Sequence, residues 1–84
     1  MPERTSEQIL MTAFGNAVRK LRRDRGWSQE EFADHVGVHR TYMGGVERGE
    51  RNVSLVNIGR ISESLEMPLA ALMAEVDRAL ASRS

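Results

Sequence analysis

The stretch SQEEFADHVGVHRTYMGGVERGERN, residues 28–52, carries the spacing that decides the fold. Ser28 followed three positions later by Glu31 is the pattern of a capping box, which marks the start of a helix. Gly37 lies six positions after Glu31, where a left-handed residue allows one helix to end and another to begin after a very short turn. We therefore predict a helix-turn-helix unit over about residues 29–48.

The apolar positions of this stretch meet the demands of a tight helix-turn-helix. A small residue at Ala33 lets the second helix cross the first closely, and we expect Val38, Met43 and Val46 to point into the core. Such an angle frees the outer face of the second helix to enter a DNA major groove. The alternative is a pair of packed core helices without a ligand. We favour DNA binding because the capping box before the unit and the basic loop after it agree with it.

Two adjacent glycines, Gly44 and Gly45, lie in the second helix of the unit, where each costs about 1 kcal/mol relative to alanine. In this register we expect both to lie outside the core, so that the helix backbone can approach another surface. If that surface is DNA, Arg40 reaches a guanine edge, and Thr41 and Tyr42 contact a phosphate or a thymine methyl. For Gly45, close packing of a neighbouring helix is almost as good an explanation.

The segment before this unit is predicted to be helical and to end at Gly26. Its start is ambiguous, because TSEQ (residues 5–8) has the spacing of a capping box and Thr12 can cap a shorter helix. Residues 1–12 are therefore either a helix extension or an N-terminal arm. The basic run RKLRRDR (residues 19–25) is interpreted as a solvated helix end whose cations favour the C-terminal dipole.

Two more helices are predicted after residue 53, and no strand pattern appears. Ser54 can cap the fourth helix, and Pro68 suits the first turn of the fifth, over about residues 68–81. The apolar stripe of the fourth helix consists of Leu55, Ile58, Ile61 and Leu65. The sequence thus predicts an all-α protein, a compact five-helix bundle in a single domain over residues 1–84.

The fifth helix is too apolar for a terminal helix that covers only a small core. We therefore predict that it forms a homodimer interface. A two-fold pair places two recognition helices about 34 Å apart, which matches half-sites one DNA turn apart. The predicted interface residues are Leu69, Leu72, Met73, Val76 and Leu80.

Composition excludes several other classes of protein. The 84 residues include no cysteine, so there is no disulfide framework and no cysteine nucleophile. No apolar run approaches the about 20 residues of a membrane span, and no signal pattern is present, so we expect a cytoplasmic protein without a membrane partner. The 12 basic and 12 acidic residues balance, which argues against indiscriminate coating of DNA but not against a local basic face.

Metal binding and catalysis are not predicted. His35 and His39 have the four-residue spacing of a metal pair, but the turn at Gly37 separates them and no third ligand is in view. No serine stands at a recognisable spacing from a histidine and a carboxylate, so we predict neither an enzyme nor a cofactor. Trp27, the only tryptophan, is expected to cover the core between the first two helices.

Residues 13–66 resemble the helix-turn-helix domains of phage repressors (the Cro and C1 type) and related small bacterial regulators. More narrowly, HRTYMGGVERGERN (residues 39–52) resembles the controller proteins of restriction–modification systems. The matching residues are Arg40, Thr41, Tyr42, Gly45, Glu47, Arg48, Arg51 and Asn52. The resemblance implies a sequence-specific transcription regulator that binds two-fold related half-sites of double-stranded operator DNA as a homodimer. A serine is common in the family where Gly44 stands, so a contact from that serine is not available here.

The DNA contacts expected from the residues and the resemblance together lie in the helix-turn-helix and the loop after it. Gln29, at the start of its helix, can bind a phosphate through its amide and the free backbone N–H groups. Arg51 and Asn52 resemble family residues that lie along the DNA backbone, whereas Arg48 alternatively pairs with Glu47 or a helix end. The full predicted set is Gln29, His39, Arg40, Thr41, Tyr42, Gly44, Arg48, Arg51 and Asn52.

Glu30 and Asp34 share the outer face of the first helix of the unit, which lies across the DNA backbone in such complexes. The resemblance to phage repressors that also activate transcription implies that this pair contacts the sigma subunit of RNA polymerase. Acidic residues also favour a helix N-terminus, which explains Glu30 better than Asp34. Two further alternatives are a repressor unrelated to restriction–modification and an antitoxin-type interaction module that also binds DNA.

Overall fold

The computed structural model describes residues 5–82, which form five helices in sequence. These are α1 (Ser6–Asp24), α2 (Gln29–Val36), α3 (Arg40–Glu47), α4 (Leu55–Ser64) and α5 (Leu69–Ser82). Within residues 5–82 there is no strand. The predicted all-α, five-helix fold is therefore confirmed.

The start of α1 resolves the ambiguity left by the sequence. The Thr5 hydroxyl accepts a hydrogen bond from the backbone N–H of Gln8, and the Gln8 side chain accepts one from the backbone N–H of Thr5, each at 3.1 Å. This capping box begins the helix at Ser6, so residues 6–12 extend α1. The remainder of the proposed arm, residues 1–4, lies outside the described part of the chain.

The helix-turn-helix forms as its local signals predict. The Ser28 hydroxyl accepts from the Glu31 backbone N–H at 3.0 Å, and the Glu31 carboxylate accepts from the Ser28 N–H at 2.8 Å. Gly37 then ends α2 in the left-handed conformation, with φ of 88°. His39 caps α3, because its Nδ1 atom accepts a hydrogen bond from the Thr41 N–H at 3.0 Å.

The core lies where α1 packs against α3 and α5, and where α2 packs against α3 and α4. Met43 and Val46 are buried as expected, while Val38 is only half-buried at the edge of the core. The predicted stripe of α4 holds for Ile61 and Leu65, which are buried, and for Ile58, which packs against the core. It is wrong for Leu55, which is 73% exposed. Leu55 lies in the first turn of α4, whereas the buried residues of that helix lie in its second half.

The α5 stripe also requires a correction. Leu72 and Val76 are buried within the protomer itself, because α5 packs along α1, so they are not available to a second copy in this fold. Of the five predicted interface residues, Leu69 is the exposed one, and Met73 and Leu80 are half-buried. The apolar character of α5 is therefore explained mainly by the core of its own chain.

The basic run at residues 19–25 is not simply a solvated helix end. The Lys20 and Asp24 side chains form an exposed pair at 3.3 Å, as expected for such an end. Arg25, however, donates to the backbone oxygens of Leu21 and Leu65 at 3.0 and 2.8 Å. The bond to Leu65 joins the end of α1 to the end of α4. None of the helices within residues 5–82 is long and apolar enough to cross a membrane.

Candidate nucleic-acid interface

The exposed part of the predicted site consists of the start of α3 and the loop that follows the helix. Arg40 and Thr41 are exposed in the first turn of α3, and Arg48, Arg51 and Asn52 are exposed in the loop. The other members are either less accessible or engaged in another contact. Gln29 and Tyr42 are half-buried, Gly44 is buried, and His39 is exposed but uses its ring nitrogen to cap α3.

Gly44 and Gly45 are both buried, and the atoms nearest to the position of a side chain at each belong to polar residues. A Cβ atom added at Gly44 would lie 3.0 Å from Nη1 of Arg48 and 3.1 Å from Oε1 of Gln29. At Gly45 it would lie 3.0 Å from Nε of Arg51 and 3.1 Å from its Cγ. The surface that closely approaches these glycines is therefore formed by polar side chains of the same protomer, and for Gly45 it is not a neighbouring helix.

Arg51 is held against α3 by Tyr42 as well as by Gly45. The guanidinium carbon of Arg51 lies 5.5 Å from the centre of the Tyr42 ring, in cation–π contact. The Tyr42 hydroxyl oxygen in turn accepts a hydrogen bond from Nδ2 of Asn57 at 3.2 Å. Asn57 lies on α4, and the sequence alone does not identify it as part of this surface.

Two of the arginines are paired with exposed carboxylates. Arg40 donates to Glu30 at 3.1 Å, which ties the first residue of α3 to α2. Arg48 donates to Glu50 at 3.1 and 3.2 Å, so the predicted alternative of a pair with Glu47 is wrong. The hydrogen bond from Arg48 and its charge lower the pKa of Glu50, and the same bond raises the pKa of Arg48.

Glu47 is a buried anion at the centre of a network that the sequence did not reveal. Its carboxylate accepts from Arg22 at 2.7 and 2.9 Å and from the Gln29 amide at 3.0 Å. Arg19 lies 3.5 Å from the same carboxylate. Arg22 also donates to the backbone oxygen of Trp27 at 2.7 Å. The network joins α1, α2 and α3, and it engages the Gln29 amide that was expected to bind a phosphate.

Burial acts to raise the pKa of Glu47, but the hydrogen bonds from Arg22 and Gln29 and the nearby positive charges outweigh it, so the pKa is lowered. The hydrogen bond to Glu47 likewise raises the pKa of Arg22. The helical spacing in the sequence does indicate that both members of this pair are buried. Arg22 lies one turn after buried Val18, and Glu47 lies one turn after buried Met43, so both fall on inward faces.

Trp27, which lies between α1 and α2 in the chain, is half-buried and packs against the core, as expected. Its ring stacks on Phe32 at 5.6 Å and on His35 at 4.6 Å between ring centres. His35 is therefore occupied in aromatic stacking. Within residues 5–82 no group of three or more histidine, aspartate or glutamate side chains is arranged to hold a metal ion.

The fold and this surface can be compared with known proteins. The helix-turn-helix family model matches residues 18–72. The control protein C.MunI from Mycoplasma sp is 42% identical over 66 residues, which cover 77% of this chain and 89% of that protein. Among solved structures, the restriction–modification controller protein C.AhdI from Aeromonas hydrophila is 47% identical, with a TM-score of 0.71, over 74% of this chain and 94% of that one.

A further solved structure shows a relative on DNA. It is the tetramer of the restriction–modification controller protein C.Esp1396I in complex with its natural 35-base-pair operator. That protein is 25% identical to this chain and superposes with a TM-score of 0.80, over 87% of this chain and 96% of its own length.

Proposed function

The chain belongs to the helix-turn-helix family of the phage repressors, and on that premise we propose that it is a sequence-specific DNA-binding transcription regulator of the restriction–modification controller type. The observation that carries the proposal is the exposed start of α3, where Arg40 and Thr41 stand clear of the core on a helix that the Gly37 turn sets at an angle to α2. Such a regulator acts in the cytoplasm, where we expect this protein.

The contacts divide between bases and phosphates. Arg40, in the first turn of α3, is placed to read a guanine through its O6 and N7 atoms. Thr41 supports that contact through a phosphate or a thymine methyl group. Arg51 and Asn52 follow the DNA backbone, because they lie on the loop beside α3 rather than on the helix itself. A contact from Gly44 requires Arg48 and Gln29 to move aside, since both cover it in the free protein.

The proposal is tested by selecting duplexes from a randomised 35-base-pair library with the purified protein. We expect enrichment of a two-fold related motif, and tighter binding of the enriched duplex than of a shuffled duplex of equal composition. Equal affinity for both duplexes, or no binding at all, would overturn the proposed function.

We place the dimer surface at the exposed apolar residues rather than on the buried part of α5. Leu55 and Val56 are 73% and 66% exposed in the first turn of α4, and Leu69 is 41% exposed at the start of α5. Large apolar side chains that are this exposed favour burial against a partner. The tetramer that C.Esp1396I forms on its operator supports assembly of this chain by two-fold symmetry.

Sedimentation at micromolar concentration is expected to show a dimer, with or without DNA. A Leu55→Asp, Val56→Asp variant should sediment as a folded monomer, because it places two charges in the interface. Arg23→Asp serves as the control, since Arg23 is exposed on α1 and is not one of the exposed apolar residues. A wild-type protein that is monomeric under all these conditions would contradict the assignment.

The ion pair between Glu30 and Arg40 refines the predicted contact of Glu30 and Asp34 with RNA polymerase. Glu30 holds Arg40 in the free protein, so its carboxylate is released when Arg40 turns to a base. Asp34 is exposed one turn further along α2. We propose that these two carboxylates contact the sigma subunit of RNA polymerase when the protein is on DNA.

A Glu30→Gln, Asp34→Asn variant separates this contact from DNA binding. The variant should still bind the selected duplex and should lose activation of a reporter promoter that carries the same site. Activation equal to that of the wild type would refute the polymerase contact and leave the DNA-binding proposal unaffected.

A further inference from the structure

Three side chains from three parts of the helix-turn-helix region form a chain of contacts. Asn57 of α4 donates to the hydroxyl oxygen of Tyr42 in α3, at 3.2 Å. The guanidinium carbon of Arg51, in the loop, lies 5.5 Å from the centre of the Tyr42 ring. Asn57 and Tyr42 are half-buried and Arg51 is exposed, so the chain of contacts ends at the surface.

The donor and acceptor roles in this chain have a chemical consequence. A phenol has one hydrogen to donate and also accepts hydrogen bonds at its oxygen. Because Asn57 supplies the hydrogen of its bond to Tyr42, the hydrogen of the Tyr42 hydroxyl is not used in that bond. It remains available for an outside acceptor, and a phosphate oxygen of DNA is such an acceptor.

The backbone fixes both ends of the chain of contacts. The Asn57 backbone N–H donates to the Ser54 hydroxyl at 3.1 Å, which caps α4 and sets its first turn. At the other end of the loop, the Glu50 N–H donates to the Gly45 backbone oxygen at 2.9 Å. The absence of a side chain at Gly45 leaves room for Arg51, whose Nε and Cγ atoms would lie 3.0 and 3.1 Å from a Cβ there.

We propose that Asn57 is a positioning residue for DNA binding, which acts through Tyr42. By holding the Tyr42 ring, it directs the Tyr42 hydroxyl hydrogen and the Arg51 guanidinium towards the phosphates beside the recognition helix. Asn57 itself does not touch DNA. The inference rests on the proposed function, because it assumes that Arg51 contacts the DNA backbone.

The experiment measures binding of the selected duplex by the full chain with Asn57→Ala, Tyr42→Phe and both changes together. We expect Asn57→Ala to weaken binding about fivefold per half-site, which is the size of one net hydrogen bond. On the Tyr42→Phe background the same change should have little further effect, because the oxygen to which Asn57 donates is gone. Asn16→Ala, in the groove between α1 and α5, is the matched control and should bind as the wild type does.

A spectroscopic measurement separates positioning from general stability. Tyr42 is the only tyrosine, so protein labelled with ¹³C-tyrosine gives the ring signals of this residue alone. Those signals should move on Asn57→Ala in the absence of DNA and should not move on Asn16→Ala. Thermal unfolding of the same samples shows whether each variant is folded.

The outcomes distinguish this inference from the proposed function. If the wild type fails to prefer the selected duplex, the proposed function fails. If the wild type binds and Asn57→Ala binds equally well, the positioning role of Asn57 is refuted while the function stands. An equal loss from Asn57→Ala with and without the Tyr42 hydroxyl would also refute it, because the effect would then not pass through Tyr42.

Discussion

The buried ion pair that joins α1 to α3 and the exposed ion pair that joins α2 to α3 have the same chemistry but different surroundings. Arg22 contacts Glu47 at 2.7 Å, and the two side chains are 10% and 0% exposed. Arg40 contacts Glu30 at 3.1 Å, and both are about two-thirds exposed. The distances differ little, so burial is what separates the two regions.

Because of the difference in burial, the buried pair stabilises the fold, whereas the exposed pair is free to change partners. A buried carboxylate that accepts from an arginine and an amide cannot leave its partners without exposing an uncompensated charge to a poorly polar interior. Glu47 therefore fixes α3 relative to α1 and α2. An exposed pair is screened by water and salt and contributes little to stability. Arg40 can therefore exchange Glu30 for a base edge or a phosphate.

The largest effect, on the free energy of unfolding, is expected when the buried pair of Arg22 and Glu47 is broken. Glu47→Gln keeps the size of the side chain but leaves the Arg22 guanidinium buried without its anion. Breaking a buried pair in this way costs about 3–5 kcal/mol, a large part of the stability of a small domain. Urea unfolding followed by the fluorescence of Trp27 measures the loss.

A double variant tests whether the loss arises from the uncompensated charge. Arg22→Met with Glu47→Leu removes both charges and replaces them with apolar groups of similar size, which is often close to neutral. We expect it to be more stable than Glu47→Gln. If the single and the double change destabilise equally, the loss arises from the hydrogen bonds to Gln29 and Trp27 rather than from the uncompensated charge.

The same pair predicts how stability depends on pH. The folded-state pKa of Glu47 is lowered, whereas the pKa of an unfolded glutamate is about 4.3. The stabilisation is therefore fully present above that value and is lost as the pH falls through the lower folded-state pKa. Thermal unfolding measured from neutral to acidic pH should show a fall in stability below about pH 4.3 that is smaller in the double variant.

Local signals explain which parts of the fold were predictable. The capping box of Ser28 and Glu31 and the left-handed Gly37 lie within ten residues of one another, and the helix-turn-helix could be predicted from them. The bond between Arg22 and Glu47 joins residues 25 positions apart. Helical periodicity places each on an inward face but does not identify its partner.

The same limit explains the error on α5 and the omission of Asn57. An apolar stripe indicates that one face of a helix is covered, but not whether its own chain or a second copy covers it. The stripe alone therefore predicts a dimer contact for Leu72 and Val76, although α1 covers them. Asn57 makes its contact with Tyr42 across 15 positions, and no local pattern marks it.

An effect of intermediate size, on DNA binding, is expected when Arg40 of the exposed pair is replaced. Arg40→Ala should weaken binding of the selected duplex by about 1–3 kcal/mol per half-site and relax the preference at one base pair, because a bidentate hydrogen bond to guanine is removed. Arg51→Ala should instead weaken all duplexes alike and reduce the salt dependence by about one unit for each phosphate that the protein no longer touches. Binding of a panel of singly substituted duplexes measures both effects. An unchanged base preference in Arg40→Ala would show that another residue reads the base.

The smallest effect, on both stability and DNA binding, is expected when the other exposed pair, between Arg48 and Glu50, is broken. Glu50→Gln keeps the side-chain size and removes a charge whose attraction to Arg48 is screened by water, so the midpoint of thermal unfolding should shift much less than in Glu47→Gln. DNA binding should become slightly tighter and more dependent on salt, because a negative charge beside the DNA is removed and Arg48 is released to a phosphate. Arg51→Ala is expected to change the affinity for DNA and its salt dependence in the opposite direction. A large loss of stability in Glu50→Gln would contradict the division between buried and exposed pairs, because it would show that an exposed pair also fixes the position of α3.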